Sequence, residues 1–387
     1  MVAKINADTS GGLKLNSDTS GTLEIQSAGT TKLTVSSAGV AMPGPLTGLT
    51  SINSGQIGGS RNKVMNGAMV IDQRNAGASV TPTNGLYTLD RWQGLLAQAS
   101  KYTVIQSATA PTGFIESLLV TSSSAYSLAD GDYFDITQYV EGQNMADLAW
   151  GTASAATVTL SFYVRSSLTG TFGGSLQNNG QARSYPFSYA ISSADTWEKK
   201  SITIAGDTSG TWLTTNGRGI QLNFSLGTGA TFSGSAGSWA GANYLGTTST
   251  VSVVSTNAAT WYVTGVQLEK GSTATDFESR SFGEELALCQ RYFETAYDIS
   301  GGTYYTQVYW SGDVTSGATY YSDTVFQVAK RNNAPTVTTF RLGENGFTTA
   351  APTVGVATHS GFSANKAANV TGGGGNYIFS YSASSEL

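Results

Sequence analysis

A ten-residue period of apolar and polar positions runs through the first 42 residues of the chain. Turns rich in Asp, Ser and Gly begin at Asp8 and Asp18, and apolar and polar residues alternate between the turns. This alternation is typical of short strands that bury one face. The apolar positions of the repeat are Ile5, Leu13, Leu15, Leu23, Ile25, Leu33 and Val35.

A strand this short cannot bury its apolar face alone, and four copies make too small a core for an independent domain. Identical chains around a symmetry axis are the simplest neighbours that cover such faces. We therefore predict that residues 1–60, which comprise the repeat and a turn-rich neck, form a trimeric stalk. The alternative is a small meander that packs on the next domain of the same chain.

Longer strands follow from residue 61. Residues 157–165 alternate, with Val158, Leu160, Phe162 and Val164 on one face. Similar segments recur to about residue 280 with Gly- and Ser-rich turns between them, and none has helical periodicity. The pattern predicts an all-β domain over residues 61–280, an antiparallel β-sandwich of the jelly-roll type.

One segment has the pattern of a helix, and it lies within residues 281–296. Leu286, Cys289, Tyr292 and Phe293 fall on one apolar stripe. Three copies of this stripe facing an axis would clamp a trimer, whereas the alternative is a helix that packs only on its own chain. The position of Cys289 on the stripe predicts a buried small apolar residue rather than a reactive thiol.

The last residues, 297–387, are predicted to form a small β-domain at the tip. Alternation places Tyr305 and Tyr309 on the same strand face as a glutamine, and Tyr321 on the equivalent face of the next strand. Faces that carry glutamine point outward, so we predict an exposed aromatic patch on which sugar rings stack. The alternative is that these tyrosines are buried between the subunits of a trimer.

Composition and charge narrow the possible partners. The chain carries 20 Lys and Arg against 25 Asp and Glu, so no basic field attracts a phosphate backbone, and we predict no nucleic-acid partner. No apolar segment is long enough to cross a membrane, and none at the start has the form of a leader, so we expect no membrane insertion and no export signal. The 47 glycines fit many tight turns.

Candidate chemistry is sparse. Asp130 and Asp132 offer oxygen ligands that Ca²⁺ prefers, but the spacing of an EF-hand is absent, so a turn is the preferred interpretation. The single histidine, His359, and the single cysteine cannot supply a catalytic triad or a zinc cluster. We expect no metal and no cofactor.

Two acidic residues, Asp72 and Asp90, lie close in sequence to Arg74 and Arg91. This spacing suits ion pairs as well as catalysis, and structural ion pairing is the interpretation that we prefer.

Several segments resemble a domain of bacteriophage tail fibres. They occur in the family's order along the chain and comprise residues 49–59 (LTSINSGQIGG), 61–69 (RNKVMNGAM), 87–92 (YTLDRW), 262–271 (YVTGVQLEKG) and 283–293 (GEELALCQRYF). The central domain of that family is similar to jelly-roll carbohydrate-binding modules. The resemblance implies a homotrimeric virion fibre that is assembled in the host cytoplasm, contacts other phage proteins through its N-terminal region and binds host surface glycan non-covalently.

Two other functions stay open. One is a purely structural fibre on a collar, baseplate or capsid. The other is a tailspike that degrades polysaccharide, for which Asp132, Asp135 and Glu141 are the nominated carboxylates. Such tailspikes usually contain a long β-helix, which residues 61–387 do not predict, and we therefore expect no enzymatic activity.

Overall fold

The computed structural model describes residues 23–27, 30–36, 39–41, 60–296 and 308–387. The chain divides into two compact units, residues 1–52 and residues 53–387. Antiparallel strands dominate both units, which confirms the all-β fold class. Among the described residues, no helix is long and apolar enough to cross a membrane.

The first unit contains a three-stranded antiparallel sheet made of β1 (Leu23–Ser27), β2 (Thr30–Ser36) and β3 (Gly39–Ala41). Leu23 pairs with Val35, and Ile25 pairs with Leu33. The Ile25 side chain remains 49% exposed. Ile5, Leu13 and Leu15 lie outside the described residues, and the trimeric arrangement of the stalk stays a prediction.

The central domain is a jelly-roll β-sandwich of two facing antiparallel sheets, in the orders β11-β10-β13-β8-β5-β4 and β12-β9-β16-β7-β6. A short parallel pair, β14 and β15, lies beside them. The strands are β4 (Tyr87–Leu89), β5 (Trp92–Leu96), β6 (Tyr102–Ser107), β7 (Ser117–Ser122), β8 (Tyr133–Glu141), β9 (Val158–Ser166), β10 (Gly170–Asn178), β11 (Ser184–Ile191), β12 (Glu198–Ile204), β13 (Arg218–Thr228), β14 (Ser233–Gly234), β15 (Gly246–Thr247) and β16 (Thr260–Lys270).

Aromatic side chains fill the space between the two large sheets. The predicted inward face of β9, which includes Phe162, is fully buried. Phe224 of β13 lies at the centre, with its ring centroid 5.0 Å from Phe162 and 5.6 Å from Trp261. Alternation along each strand therefore sends one set of side chains into a continuous core.

In the part of the chain that the structure describes, a single α-helix, α1 (Phe282–Gln290), follows the sandwich. Ser281 caps it, because its hydroxyl accepts from the Glu284 backbone N–H while the Glu284 carboxylate accepts from the Ser281 backbone N–H. The helix is shorter than predicted, since the chain turns after Gln290 and Phe293 already belongs to the next strand.

The C-terminal strands form two facing sheets around a second core. In the four-stranded sheet, β23 pairs with β20 along one edge and with β17 and β18 along the other, while β19, β22 and β21 form a three-stranded sheet. The strands are β17 (Phe293–Thr295), β18 (Val308–Asp313), β19 (Thr319–Val325), β20 (Thr336–Asn345), β21 (Thr353–Ala357), β22 (Gly361–Ala367) and β23 (Gly374–Ser384).

Ionic contacts join the sandwich to the chain after α1. Arg291 donates to both oxygens of Glu141 at 3.0 and 2.7 Å, and the Tyr292 hydroxyl donates a third bond at 2.5 Å. Burial on its own raises the pKa of Glu141, but the hydrogen bonds from Arg291 and Tyr292 outweigh it and lower that pKa. The C-terminal sheets are thus anchored to β8 of the sandwich.

Candidate functional site

The predicted aromatic patch is only partly described. Tyr305 lies outside the described residues. Tyr309 on β18 is 57% exposed and Tyr321 on β19 is 62% exposed, while their neighbours Trp310 and Tyr320 point into the core. The predicted outward faces of these two strands are therefore the exposed ones.

The two tyrosines do not form one patch. Tyr309 belongs to the four-stranded sheet and Tyr321 to the three-stranded sheet, and the inner faces of these sheets pack against each other through Trp310 and Tyr320, whose centroids are 4.7 Å apart. Since each tyrosine points away from the shared core, they lie on opposite outer surfaces. The prediction of a joint patch is corrected to two separate surfaces.

The outer face of β19, β22 and β21 combines an aromatic ring with polar side chains, and we call it the tip face. Tyr321 pairs with Asn365 of β22, which pairs in turn with Thr353 of β21. In the adjacent row Asp323 pairs with Ser363. Paired side chains of an antiparallel sheet stand about 5 Å apart at Cβ, so these groups form one contiguous surface.

The polar groups of the tip face are available for a ligand. Tyr321, Asp323 and Asn365 make no side-chain hydrogen bond or ion pair to any other described residue. A Cβ at Gly355 would lie 2.8 Å from the Ser363 hydroxyl oxygen, so glycine at this position keeps the surface above Ser363 open. The face therefore exposes the Tyr321 ring beside the hydrogen-bonding groups of Asp323 and Asn365.

A tightly packed aromatic cluster supports the tip face from below. The rings of Trp310 and Tyr377 stack with centroids 5.8 Å apart, and Phe347 meets both rings edge-on. The Tyr377 hydroxyl donates to the Tyr320 carbonyl oxygen at 3.3 Å. This packing holds the β19 backbone, and hence Tyr321, in a fixed position.

The three carboxylates nominated for glycoside hydrolysis do not form an accessible pair. Asp132 accepts from the Tyr126 hydroxyl and the Ala129 backbone N–H in a turn. Asp135 is fully buried with no hydrogen-bond partner on either oxygen, and Glu141 is held by Arg291. All three side chains are withdrawn from the surface, which corrects their nomination.

Burial raises the pKa of Asp135 well above its usual range. The folded state therefore keeps its proton at a pH at which the unfolded chain has lost it, and stability falls as pH rises from about 4. We expect Asp135→Asn to remove this loss. The free energy of unfolding of the variant should therefore rise relative to that of the native chain by up to about 1.4 kcal/mol per pH unit.

Urea unfolding of both proteins between pH 4 and 8 measures this difference. The buried amide of the variant changes the free energy of unfolding by an amount that does not depend on pH. A difference in unfolding free energy between the two proteins that stays constant from pH 4 to 8 would contradict the raised pKa of Asp135.

Asp130 and Asp132, the candidate calcium ligands, lie in the turn before β8. Asp130 is exposed, and Asp132 closes the turn before β8. Within the described ranges, no group of three or more His, Cys, Asp or Glu residues is placed to hold a metal ion. His359 is exposed in the loop before β22.

The acidic residues near Arg74 and Arg91 are not their ion-pair partners. Asp72 accepts from the backbone N–H groups of its own turn, and Asp90 accepts from the backbone and side chain of Gln73. Burial raises the pKa of Asp90 to about 7. Both arginines pair instead with Glu386, near the other end of the sequence, which corrects the expected pairing.

The apolar stripe assigned to a trimer clamp is used within the chain. Cys289 and Tyr292 are fully buried, Phe293 is 9% exposed beneath the Arg74 guanidinium, and Leu286 is half-buried. Cys289 is thus the buried apolar residue that the pattern predicts, and burial raises the pKa of its thiol. These side chains leave little surface for the predicted contact between copies, and the helix packs on its own chain.

A row of buried polar side chains on the outer face of the six-stranded sheet is absent from the sequence-based predictions. Thr137 and Gln221 donate to the Asn223 amide oxygen at 2.8 and 2.9 Å, and the Asn223 amide donates to Ser175 and Gln177. The sequence signal that could have predicted this row is the alternation of polar and apolar residues along β8, β10 and β13. All five side chains are fully buried, so this part of the face is closed.

Comparison with known proteins gives structural likenesses only. No family model and no curated protein matches the chain. The enzymatically active domain of tailspike protein 4 of bacteriophage CBA120 is 12% identical over 54% of this chain and 21% of that one, with a TM-score of 0.31. The chain therefore spans about a fifth of the length of that tailspike.

Two carbohydrate-binding modules are similar at the same level. The family 11 module from Clostridium thermocellum, in complex with a mixed-linked tetrasaccharide, is 9% identical over 51% of this chain and 98% of the module, with a TM-score of 0.28. TmCBM61, in complex with β-1,4-galactotriose, is 10% identical over 55% of this chain and 99% of the module, with a TM-score of 0.28. Superpositions this loose do not assign a function.

Proposed function

We propose that this chain binds glycan non-covalently and that the tip face is its recognition surface. The observation that carries the proposal is the exposed ring of Tyr321 beside the unpaired side chains of Asn365 and Asp323 on an uncovered sheet. Because a pyranose ring has apolar C–H faces and a hydroxyl rim, it fits a flat aromatic ring flanked by hydrogen-bonding groups.

Each group of the tip face has a distinct part in this recognition. The Tyr321 ring provides the stacking surface. The Asn365 amide both donates and accepts, and the Asp323 carboxylate accepts from hydroxyl pairs. Neighbouring sugar hydroxyls offer both donors and acceptors, so the three side chains together select a hydroxylated ring over a purely apolar one.

We further propose that the chain is a homotrimeric bacteriophage tail fibre, located on the virion, that attaches the particle to its host. The segments that resemble tail fibres and the strand repeat of the first unit support this assignment. Three weak sites on one particle gain avidity, because the second and third contacts form at high effective concentration. The proposed fibre is non-catalytic, and release of reducing sugar from host polysaccharide would contradict that part.

A structural fibre without a receptor of its own is the second candidate, and one observation favours it. Val325 and Val356 flank the tip face and are 77% and 66% exposed. Aliphatic side chains this exposed are typical of protein contacts, whereas the sugar contact proposed above uses an aromatic ring and hydrogen-bonding groups. In this alternative the tip face binds another virion protein.

Alanine at Tyr321 is expected to weaken binding of the purified chain to host surface polysaccharide about tenfold, since about 1.4 kcal/mol of stacking is lost. Asn365→Ala is expected to act in the same direction through its lost hydrogen bonds. Isothermal titration with the polysaccharide measures both effects.

Tyr309→Ala is the matched control, because Tyr309 is equally exposed but lies on the opposite surface. Equal losses for Tyr309→Ala and Tyr321→Ala would place the glycan elsewhere. Binding to virion proteins without any binding to host polysaccharide would favour the structural fibre.

A further inference from the structure

An apolar cleft of about 220 Å³ lies beside the start of α1, and we call it the basal cleft. Two of its side chains are unusually exposed, Ile115 at 72% and Phe282 at 52%. Its apolar lining residues are Val70, Phe114, Ile115, Phe277 and Phe282. Several large apolar side chains gathered on one exposed surface indicate an interaction site.

The shape of the basal cleft is fixed by its surroundings. The Phe114 ring packs against Tyr163 at 5.3 Å and against Phe277 at 5.1 Å, which forms a rigid floor. Phe282 is the first residue of α1, and the capping bonds of Ser281 fix where that helix begins. The floor of the cleft and the start of α1 are therefore held by contacts within the chain.

The charges beside the cleft are largely offset within the chain. Arg280 pairs with Glu278 at 3.0 Å and with Glu285 at 3.3 Å, so the three groups together carry one net negative charge. A partner therefore needs little complementary charge, and two identical surfaces meet only weak repulsion between like charges. This suits contact with a second copy better than contact with a strongly charged protein.

The chain itself places a second copy within reach. Ser60, at the start of the described part of the second unit, lines the neighbouring cleft that shares Ser279 and Arg280 with the basal cleft. In the first unit, the half-exposed Ile25 lies on a sheet that association between copies would cover. Copies held together there are tethered through residues 42–59 at high effective concentration, so a second copy meets the basal cleft before a foreign protein does.

We propose that the basal cleft, with Ile115 and Phe282 at its rim, is a contact surface between copies of this chain. The inference rests on the homotrimer of the proposed function and deepens it, since it names a surface outside the stalk through which the copies touch. The contact would hold the sandwiches of neighbouring copies together.

A single introduced cysteine tests this contact in the full-length chain. The native Cys289 is fully buried, so a cysteine at an exposed position is the only reactive thiol. Ile115→Cys is placed in the cleft, and Ala190→Cys, exposed on β11, is the matched control. Since both native side chains are largely exposed in the single chain, neither substitution disturbs the core.

We expect a short bis-maleimide to link Ile115→Cys chains in pairs, with a yield independent of protein concentration. We also expect a monofunctional maleimide to label this cysteine at least tenfold more slowly than Ala190→Cys. Light scattering of the same samples gives the mass of the assembly.

Two results would overturn the inference, and they differ from each other. If the protein is an oligomer but Ile115→Cys reacts as fast as Ala190→Cys and forms no linked pairs, the copies touch elsewhere and the trimer survives. If the protein is a monomer at micromolar concentration, the trimer and the contact both fail. Glycan titration on the same sample shows independently whether the recognition proposal stands.

Discussion

Replacing Lys330 by alanine is expected to lower the free energy of unfolding of the C-terminal sheets by about 3–5 kcal/mol. Lys330 and Glu294 are a fully buried ion pair, with the ammonium nitrogen 2.7 Å from the carboxylate. The ammonium also donates to the carbonyl oxygens of Gln290 and Val328. The variant leaves the Glu294 carboxylate buried without its counter-charge, and this accounts for most of the loss.

Denaturant unfolding followed by circular dichroism measures the effect. Lys199→Ala, at an exposed position on β12, is the control and is expected to cost less than about 1 kcal/mol. Adding Glu294→Gln to Lys330→Ala should recover part of the loss, because a neutral amide needs no cation and still accepts from the Tyr381 hydroxyl. A loss at Lys330 no larger than that at Lys199 would contradict the role of the pair.

The sequence predicts strand faces well because a strand has a fixed period of two residues. The outward positions of Tyr309 and Tyr321 follow from that period together with the glutamines that share their faces. The period does not say which strands pair, so the two tyrosines were grouped although they belong to different sheets. Pairing depends on partners distant in sequence, such as β19 with β22.

The end of α1 shows a second limit. The apolar stripe continues past Gln290, so periodicity extends the helix, but the pairing of β17 with the end of β23 ends it. The start of the helix carries a signal that the apolar stripe does not contain, because Ser281 and Glu284 have the spacing of a capping box. Local chemistry thus predicts where the helix begins, while a contact across the whole domain decides where it stops.

Buried charges are the features least accessible to sequence reasoning. Asp90 and Arg91 are neighbours, and their proximity suggested ion pairing within that segment, yet Arg91 pairs with Glu386. A buried charged side chain pairs with an opposite charge that is close in the folded molecule. The separation of two residues along the chain does not give their distance in space. The same holds for Glu141 and Arg291.

Arg91→Ala is expected to have the second large effect, a loss of about 3–5 kcal/mol in the free energy of unfolding. Arg91 is 1% exposed, pairs with the Glu386 carboxylate and donates to the Tyr139 carbonyl oxygen at 2.5 Å. Its guanidinium lies 3.6 Å from the centre of the Tyr292 ring. The residue therefore joins β8, the segment after α1 and the C-terminal residues, and its removal exposes all three to water.

The substitution also has a functional signature, because the contacts of Arg91 tie the C-terminal sheets to the sandwich. We expect the variant to expose Glu386 and the residues beside it to limited proteolysis, while glycan binding by the folded tip face persists, since no tip-face residue contacts Arg91.

Arg91→Lys should show an intermediate loss of stability, because lysine keeps the charge but not the planar stacking on Tyr292. Arg165→Ala is the control, since its partner Asp195 is largely exposed and the pair contributes about 0–1 kcal/mol. If Arg91→Ala matched Arg165→Ala in both stability and proteolysis, packing alone would hold the two sets of sheets together and the ion pair would be incidental.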